Sequence, residues 1–319
     1  SSSSSSSSSS LSSSLSSSSS SNSDHQPMKL PITELWADKK ERIRKKSPFG
    51  NLPSWDLFSV IVKFGDDLRQ EQLALQLVTQ FHKIFKEANI PIYLRPYSIL
   101  ITSSQSGLVE TVLDTASLHQ IKKNTPGFTT LDQYYKEVYE HPSDKYKVAQ
   151  MNFVESTAGY SILTYLLQIK DRHNGNLLID AEGHMIHIDF GFMLSNSPGK
   201  NMNFEAAPFK MTQEFIDVMG GLNSNVFEYF KALMVRGFLE CRKHCEKIIF
   251  LVEMMQEGSN MPCFVGGPAS VEQLRQRFCT SMTEDEYIQH VEGLITKSCN
   301  NWYTRQYDKF QYMTNGVRY

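Results

Sequence analysis

The run KDRHNGNLLIDAEGHMIHIDFGF (residues 170–192) constrains the fold more than any other part of the chain. Two short aliphatic segments, LLI and MIHI, sit among four acidic residues, three histidines and two asparagines. Burying so many ionisable groups is costly unless they are paired or bonded. The pattern therefore predicts a hairpin that presents a polar site: LLID as one strand, AEGH as the turn and MIHI as the returning strand. With the turn centred between Glu182 and Gly183, Asn176 faces Asp189 and Leu178 faces His187. Facing residues in an antiparallel pair lie about 4.5–5.5 Å apart. An amide oxygen and a carboxylate at the mouth of one hairpin can share a hard cation such as Mg²⁺, which keeps its waters and takes phosphate oxygens as further ligands. A slip of one residue would change that pairing.

The spacing around the hairpin points to phosphoryl transfer. Asp171 lies five positions before Asn176, and D-F-G follows at 189–191. Protein kinases place a catalytic Asp and a metal-binding Asn at that interval, with D-F-G downstream. Here the loop reads D-R-H rather than H-R-D. Upstream, Lys63 closes the apolar run VIVK and is read as a phosphate contact; the alternative is an edge lysine in solvent. A lysine in such a strand needs an anionic partner on the next helix. Glu71 is the first choice and Asp67 the second, because Asp67 and Gln70 fit a capping box.

Residues 1–21 are serine apart from Leu11 and Leu15, so 1–28 is expected to be a disordered, low-complexity segment. A net charge of -2 argues against a partner as uniformly anionic as nucleic acid. The sequence has no apolar run of spanning length. Five cysteines without a C-x-x-C pair read as reduced thiols of a cytoplasmic protein. KKERIRKK (39–46) reads as a solvated helix face or as a contact for anionic lipid.

Residues 57–64 are expected to form a buried strand, followed by a helix from 67, strands in PIYL, SILITS and 107–113, and helices from Ser156 onward. Ser270…Gln273 and Thr283…Glu286 are expected to be capping boxes. His184 and His187 are read as packing and hydrogen-bonding residues of the hairpin. The fold class is α+β: two lobes of protein-kinase type, a small β-rich lobe over 29–111 and a mainly helical lobe over 112–319.

VIVKFGDDLRQE (60–71), QIKDRHNGNLLIDAEGHMIHIDFGF (168–192) and FIDVMGG (215–221) resemble the phosphatidylinositol 3-/4-kinase superfamily. SPFGNLPSW (47–55), DAEGH (180–184), FEAAPFKMTQEF (204–215) and YDKFQYMTNG (307–316) are similar to its beta-type 4-kinases. The resemblance implies transfer of the ATP γ-phosphate to the 4-hydroxyl of phosphatidylinositol. It implies that Lys63 contacts the phosphates with Glu71 nearby, and that Tyr97 lines the inner adenine pocket. Val109–Val112 would be the hinge, with the backbone of Glu110 and Val112 meeting adenine. Asp171 and His173 would orient and deprotonate the inositol hydroxyl, Arg172 would support the loop, and Asn176 and Asp189 would hold Mg²⁺ or Mn²⁺. The implied partners are ATP, phosphatidylinositol in membranes, Rab- and Arf-family small GTPases and Golgi adaptor proteins. The implied setting is the periphery of Golgi or other intracellular membranes. Rival readings are a protein Ser/Thr kinase of the related branch and a non-catalytic membrane-recruitment module.

The segment after D-F-G, FMLSNSPGKNMNFEAAPFKMT (192–212), holds only Lys200 and Lys210 as cations. Phosphorylated inositides carry about -1.5 to -2 charges per phosphomonoester, so plain phosphatidylinositol fits this segment better. Residues 29–55 contain no strand-loop-strand suited to cover phosphates, so the small lobe reads as incomplete and the chain as the downstream part of a longer kinase. NNWYTRQYDKFQYMTNG (300–316) is read either as a packed last helix or as an aromatic surface for a membrane.

Overall fold

The computed structural model describes residues 31–32, 34–198 and 207–319. The serine tract and the middle of the 192–212 segment lie outside the described residues. The chain begins with helix α1 (Trp36–Lys46), strand β1 (Val60–Phe64), helix α2 (Arg69–Glu87) and strands β2 (Ile99–Ser103) and β3 (Ser106–Glu110). Strand β4 (Thr115–Ser117), helices α3 (Leu118–Asn124), α4 (Leu131–Val138) and α5 (Asp144–Leu167), and the hairpin β5 (Leu177–Asp180) and β6 (Met185–His187) follow. The remainder is helical: α6 (Gln213–Val218), α7 (Asn225–Lys243), α8 (Cys245–Gln256), a 3-10 turn (Pro262–Phe264), α9 (Pro268–Arg277), α10 (Glu284–Ser298) and α11 (Trp302–Asn315).

Two three-stranded antiparallel sheets divide the strands, in the orders β1-β3-β2 and β4-β5-β6. Helix α2 lies with the first sheet and buries Leu73, Leu77, Phe81, Ile84 and Phe85, the apolar positions of its 3.6-residue period. The second sheet is walled by α5, which is buried on nearly every side. This is the α+β, two-lobed arrangement expected of a kinase-like fold. Asp114, with φ 53°, breaks the run 107–113 away from β4 and marks the passage from one sheet to the other.

Several local expectations are corrected. Strand β1 is exposed rather than buried: Val62 is 72 % and Phe64 86 % accessible. It is an edge strand paired only with β3, so its apolar residues meet no second layer among the described residues. PIYL crosses under α5 as extended chain without joining a ladder. Helix α5 starts at Ser143, whose side chain caps it, and not at Ser156. The expected box at Ser270 is absent. Helix α9 begins two residues earlier at Pro268, and Ser270 is buried with its hydroxyl donating to Ser195 Oγ at 2.9 Å. The box at Thr283 and Glu286 is present in both directions. Helix α1 buries no residue, and its cations are largely taken by Glu34, Glu41 and Asp56. No helix among the described residues is long and apolar enough to cross a membrane.

Two helix glycines separate packing from propensity. A Cβ at Gly159 of α5 would lie 2.8 Å from the Tyr93 carbonyl oxygen and from Ile92 Cγ2, whereas one at Gly293 of α10 would meet nothing within 4 Å. Glycine costs a helix interior about 0.8–1.0 kcal/mol relative to alanine. Gly293→Ala is therefore expected to stabilise by up to about 1 kcal/mol. Gly159→Ala is expected to destabilise by about 1–3 kcal/mol through overpacking against a backbone atom. Urea midpoints of the two variants check the opposite signs.

Candidate active site

The hairpin closes through a three-residue loop. Asp180 Oδ1 accepts from the Glu182 and His184 N–H groups at 2.9 and 2.8 Å, and Gly183 takes φ 91°, a conformation suited to glycine. That loop recentres the pairing on Glu182. Leu177 faces His187 and Ile179 faces Met185. The expected facing pair Asn176–Asp189 is thus corrected by one residue: Ile188 N–H donates to the Asn176 carbonyl at 3.1 Å, and Asp189 lies one position beyond. Asp189 has φ 60°, which ends the extended run and turns its carboxylate away from the ladder direction. His184 bonds Asp180 at 2.9 Å and stacks on Tyr93, while His187 stacks on Tyr160.

The D-R-H loop is tied down residue by residue. Arg172, 3 % exposed, donates to Lys170 O at 3.0 Å, Ile188 O at 2.8 Å and Asp189 O. His173 Nδ1 accepts from Gly175 N–H at 3.0 Å, so the neutral ring carries its proton on Nε2, 3.9 Å from Asp171 Oδ1. Burial holds the His173 pKa below the usual imidazole value, against the pull of Asp171. Asn176 Nδ2 donates to the Asp171 carbonyl at 3.0 Å, which leaves its Oδ1 as the atom able to meet a cation. Asn176 Oδ1 and the Asp189 carboxylate, on either side of the hairpin mouth, are both oxygen donors. Such donors are of the kind a hard cation takes, with water and phosphate oxygens completing its shell. Among the described residues, no three His, Cys, Asp or Glu side chains gather as a closed metal site.

Above this loop, Lys63 sits on β1 opposite Gly107 and is half-buried. Glu71, on the first turn of α2, accepts from Tyr97 Oη at 3.0 Å. Burial raises its pKa, the Lys63 ammonium and the Tyr97 bond oppose the rise, and Asp189 adds to it. Lys63, Glu71, Tyr97 and Asp189 thus share one electrostatic neighbourhood, without a direct Lys63–Glu71 ion pair among the described residues. Asp67 is neither the cap nor that partner: it pairs with Arg69, and α2 begins after Leu68 without a side-chain cap. On β3, Val109 is buried between Ile61 and Ile99. Glu110 N–H donates to Ser98 O at 2.9 Å and the Val112 carbonyl accepts from Thr115 Oγ1 at 2.8 Å.

Three contributions escaped local pattern reading. Gln70, expected as half of a capping box, is buried and donates through Nε2 to Phe190 O at 3.1 Å and Gly191 O at 2.6 Å. Tyr307 and Gln311 of α11 both donate to Asp171 Oδ1, the second at 3.3 Å. Lys210 bridges Asp308 at 2.6 Å and Asn174 Oδ1 at 3.1 Å, pinning α11 to the D-R-H loop.

The raised Glu71 pKa sets a pH dependence. A carboxyl group with a folded pKa above its ordinary value of 4.5 contributes stability that is fully present below 4.5 and is lost as pH rises through the folded value. Tyr97→Phe removes a donor that the ionised form uses and the protonated form does not need. The variant is expected to lose about 1–3 kcal/mol at pH 8 and distinctly less at pH 4, below the ordinary value of 4.5. Denaturant titrations at the two pH values check it, and an equal loss at both would show that the bond does not act on the carboxylate.

Comparison with known proteins places this geometry. The family model described as "Phosphatidylinositol 3- and 4-kinase" matches residues 57–264. A phosphatidylinositol 4-kinase of Dictyostelium discoideum is 58 % identical over 288 residues, covering 90 % of this chain and 24 % of that protein. Phosphatidylinositol 4-kinase beta 1 of Arabidopsis thaliana is 56 % identical over 89 % of this chain and 26 % of its own length. Phosphatidylinositol 4-kinase beta of Rattus norvegicus is 48 % identical over 91 % of this chain and 35 % of its own length. The chain thus spans between 24 % and 35 % of the length of these relatives. With the matched segment running from β1 through the D-R-H loop and D-F-G to the 3-10 turn, the chain belongs to the phosphatidylinositol 3- and 4-kinase family.

Proposed function

We propose that this chain carries the catalytic machinery of a lipid kinase that transfers the γ-phosphoryl group of ATP to the 4-hydroxyl of phosphatidylinositol. The observation that carries the reading is the gathering of Lys63, Tyr97, Asp189 and Arg172 around the buried Glu71 carboxylate, together with the D-R-H loop that holds Asp171, His173 and Asn176. Phosphoryl transfer needs positioning and charge neutralisation more than covalent participation by the protein. The 4-position and the lipid substrate rest on the relatives, whose names state that activity.

In this reading the small lobe spans 29–111 and the larger lobe 112–319. The Glu110 N–H is spent on Ser98, so we assign the adenine contacts to the Glu110 carbonyl and the Val112 N–H, with Val109 and Tyr97 lining the pocket behind them. Lys63 meets the phosphates, and Glu71 balances its charge. Asn176 and Asp189 would hold Mg²⁺ or Mn²⁺, whose charge offsets that of the phosphate oxygens. The inositol hydroxyl gives its proton to the Asp171/His173 pair as its oxygen bonds to phosphorus and the bond to ADP breaks. Arg172 holds the loop in place during that exchange.

Access to a membrane is assigned to α11, which is built inside out. Its buried residues are Tyr307, Asp308 and Gln311, whereas Trp302, Tyr303, Phe310, Tyr312 and Met313 are exposed. Trp and Tyr suit the bilayer interface, and Arg305 and Lys309 on the same helix suit anionic head groups. By the same reading the enzyme works peripherally on Golgi or other intracellular membranes, with Rab- or Arf-type GTPases and adaptor proteins as recruiters.

Transfer of labelled phosphate from ATP to phosphatidylinositol vesicles, with the product position read by chromatography after deacylation, tests the activity. Label appearing on a protein substrate and not on lipid would replace the reading by that of a protein kinase. Among the described residues of the 192–212 segment, Lys210 is the sole cation, and Asp308 occupies it. Phosphatidylinositol is therefore expected to exceed a bisphosphorylated inositide in kcat/KM by about tenfold or more, each factor of ten being about 1.4 kcal/mol; equal values would place the head-group selectivity elsewhere. Asp189→Asn should reduce turnover by about 10²-fold or more, given the several kcal/mol that metal-ion charge stabilisation supplies. Its thermal midpoint should stay near wild type, and activity within a few-fold of wild type would remove Asp189 from the metal site.

A further inference from the structure

Four consecutive carbonyls, those of Ile188, Asp189, Phe190 and Gly191, are each held by a side-chain donor from elsewhere in the chain. Arg172 takes the first two and Gln70 the second two, with Asn196 adding a bond to Gly191 O at 3.1 Å. Gln70 is 5 % exposed, and its own oxygen accepts from Cys263 N–H at 2.9 Å. The amide therefore uses both its hydrogens and its oxygen to join α2, the D-F-G segment and the 3-10 turn. Arg172 holds the peptides on both sides of Asp189, which takes φ 60°, a left-handed conformation that persists only where its surroundings impose it. The next peptide, held by Gln70 through Phe190 O, carries the Gly191 N–H that donates to Asp189 Oδ1 at 3.2 Å.

We infer that Gln70 is a positioning residue for the Asp189 carboxylate, acting through the peptide groups on its C-terminal side. The assignment rests on the reading of Asp189 as a metal ligand. The chemistry is that of an outer partner: the amide touches neither cation nor phosphate, but it fixes the peptide whose N–H bonds the carboxylate of the ligand. Arg172 fixes the two peptides that flank Asp189, and Gln70 fixes the next one, whose N–H meets the Asp189 carboxylate. The lock also joins α2, which carries Glu71, to the D-F-G segment. Movement of α2 relative to the larger lobe would thereby be felt at the ligand.

The test uses the full chain with two substitutions, Gln70→Met and Gln70→Glu, and reads binding of a fluorescent ATP analogue across a Mg²⁺ titration. Adenosine binding, which needs no phosphate or metal contact, is measured alongside. Outer-partner substitutions weaken metal affinity by about 10–100-fold. Met should raise the apparent Mg²⁺ constant by about tenfold, and Glu should raise it further, because a carboxylate faces two carbonyl oxygens. Adenosine affinity should stay within about twofold. A packing role would reverse the order, since Glu is closer in shape to Gln than Met is. Wild-type metal dependence in the Glu variant, or a parallel loss of adenosine binding, overturns the assignment. So does failure of both variants to fold, which would make Gln70 a structural residue. If the wild-type chain binds the nucleotide analogue without any response to Mg²⁺, the kinase-site reading itself fails and this assignment falls with it.

Discussion

The D-F-G backbone is the constraint on which the rest of this site depends. A strand leaving a hairpin ordinarily continues to alternate its side chains, and alternation would carry Asp189 to one face and Asn176 to another. The left-handed φ of Asp189 breaks that alternation; buried Arg172 holds the peptides on both sides of the break, and buried Gln70 holds the two that follow. Each donor is charged or bidentate, and each is well buried, so water does not compete for the carbonyls. Strain at one residue is thereby offset by bonds to its own and the following peptides, which is how such strain persists.

Around that lock the charges are arranged so that burial is tolerable. Glu71 is desolvated, but Lys63 and Tyr97 oppose the resulting rise in its pKa. The Lys210 side chain is well buried, but Asp308 and Asn174 accept two of the three hydrogen bonds its ammonium can give. Breaking one member of such a set leaves the others uncompensated, which is why these groups act as units. The polar inner face of α11 belongs to the same scheme. Tyr307 and Gln311 bond to the Asp171 carboxylate, and the aromatic residues that a surface helix would ordinarily bury are turned outward.

Much of this was legible from residue types. The chemistry-bearing residues of the hairpin, the D-x-x-x-x-N interval, the helix periods and the Thr283 box are local features, and local sequence carries them. What escaped was decided by partners far along the chain. The capping-box reading of Gln70 followed a valid local rule, yet the residue serves the segment 120 positions away. Strand β1 has a core-like composition but lies at a sheet edge, because burial depends on which layers cover a strand and not on its own residues.

The sequence by itself determined which groups are at hand: an amide and a carboxylate on either side of a hairpin, a strand lysine, and a D-R-H loop. Only the tertiary structure decided how they meet. The hairpin register turned on one extra loop residue, and a one-residue slip exchanges faces without changing composition. The Gln70 bond to the D-F-G backbone and the contact of α11 with Asp171 join residues separated by 120 and 136 positions. Such bonds form because packing brings buried donors to buried carbonyls and carboxylates that must be satisfied, and no local period in the chain encodes which ones will meet.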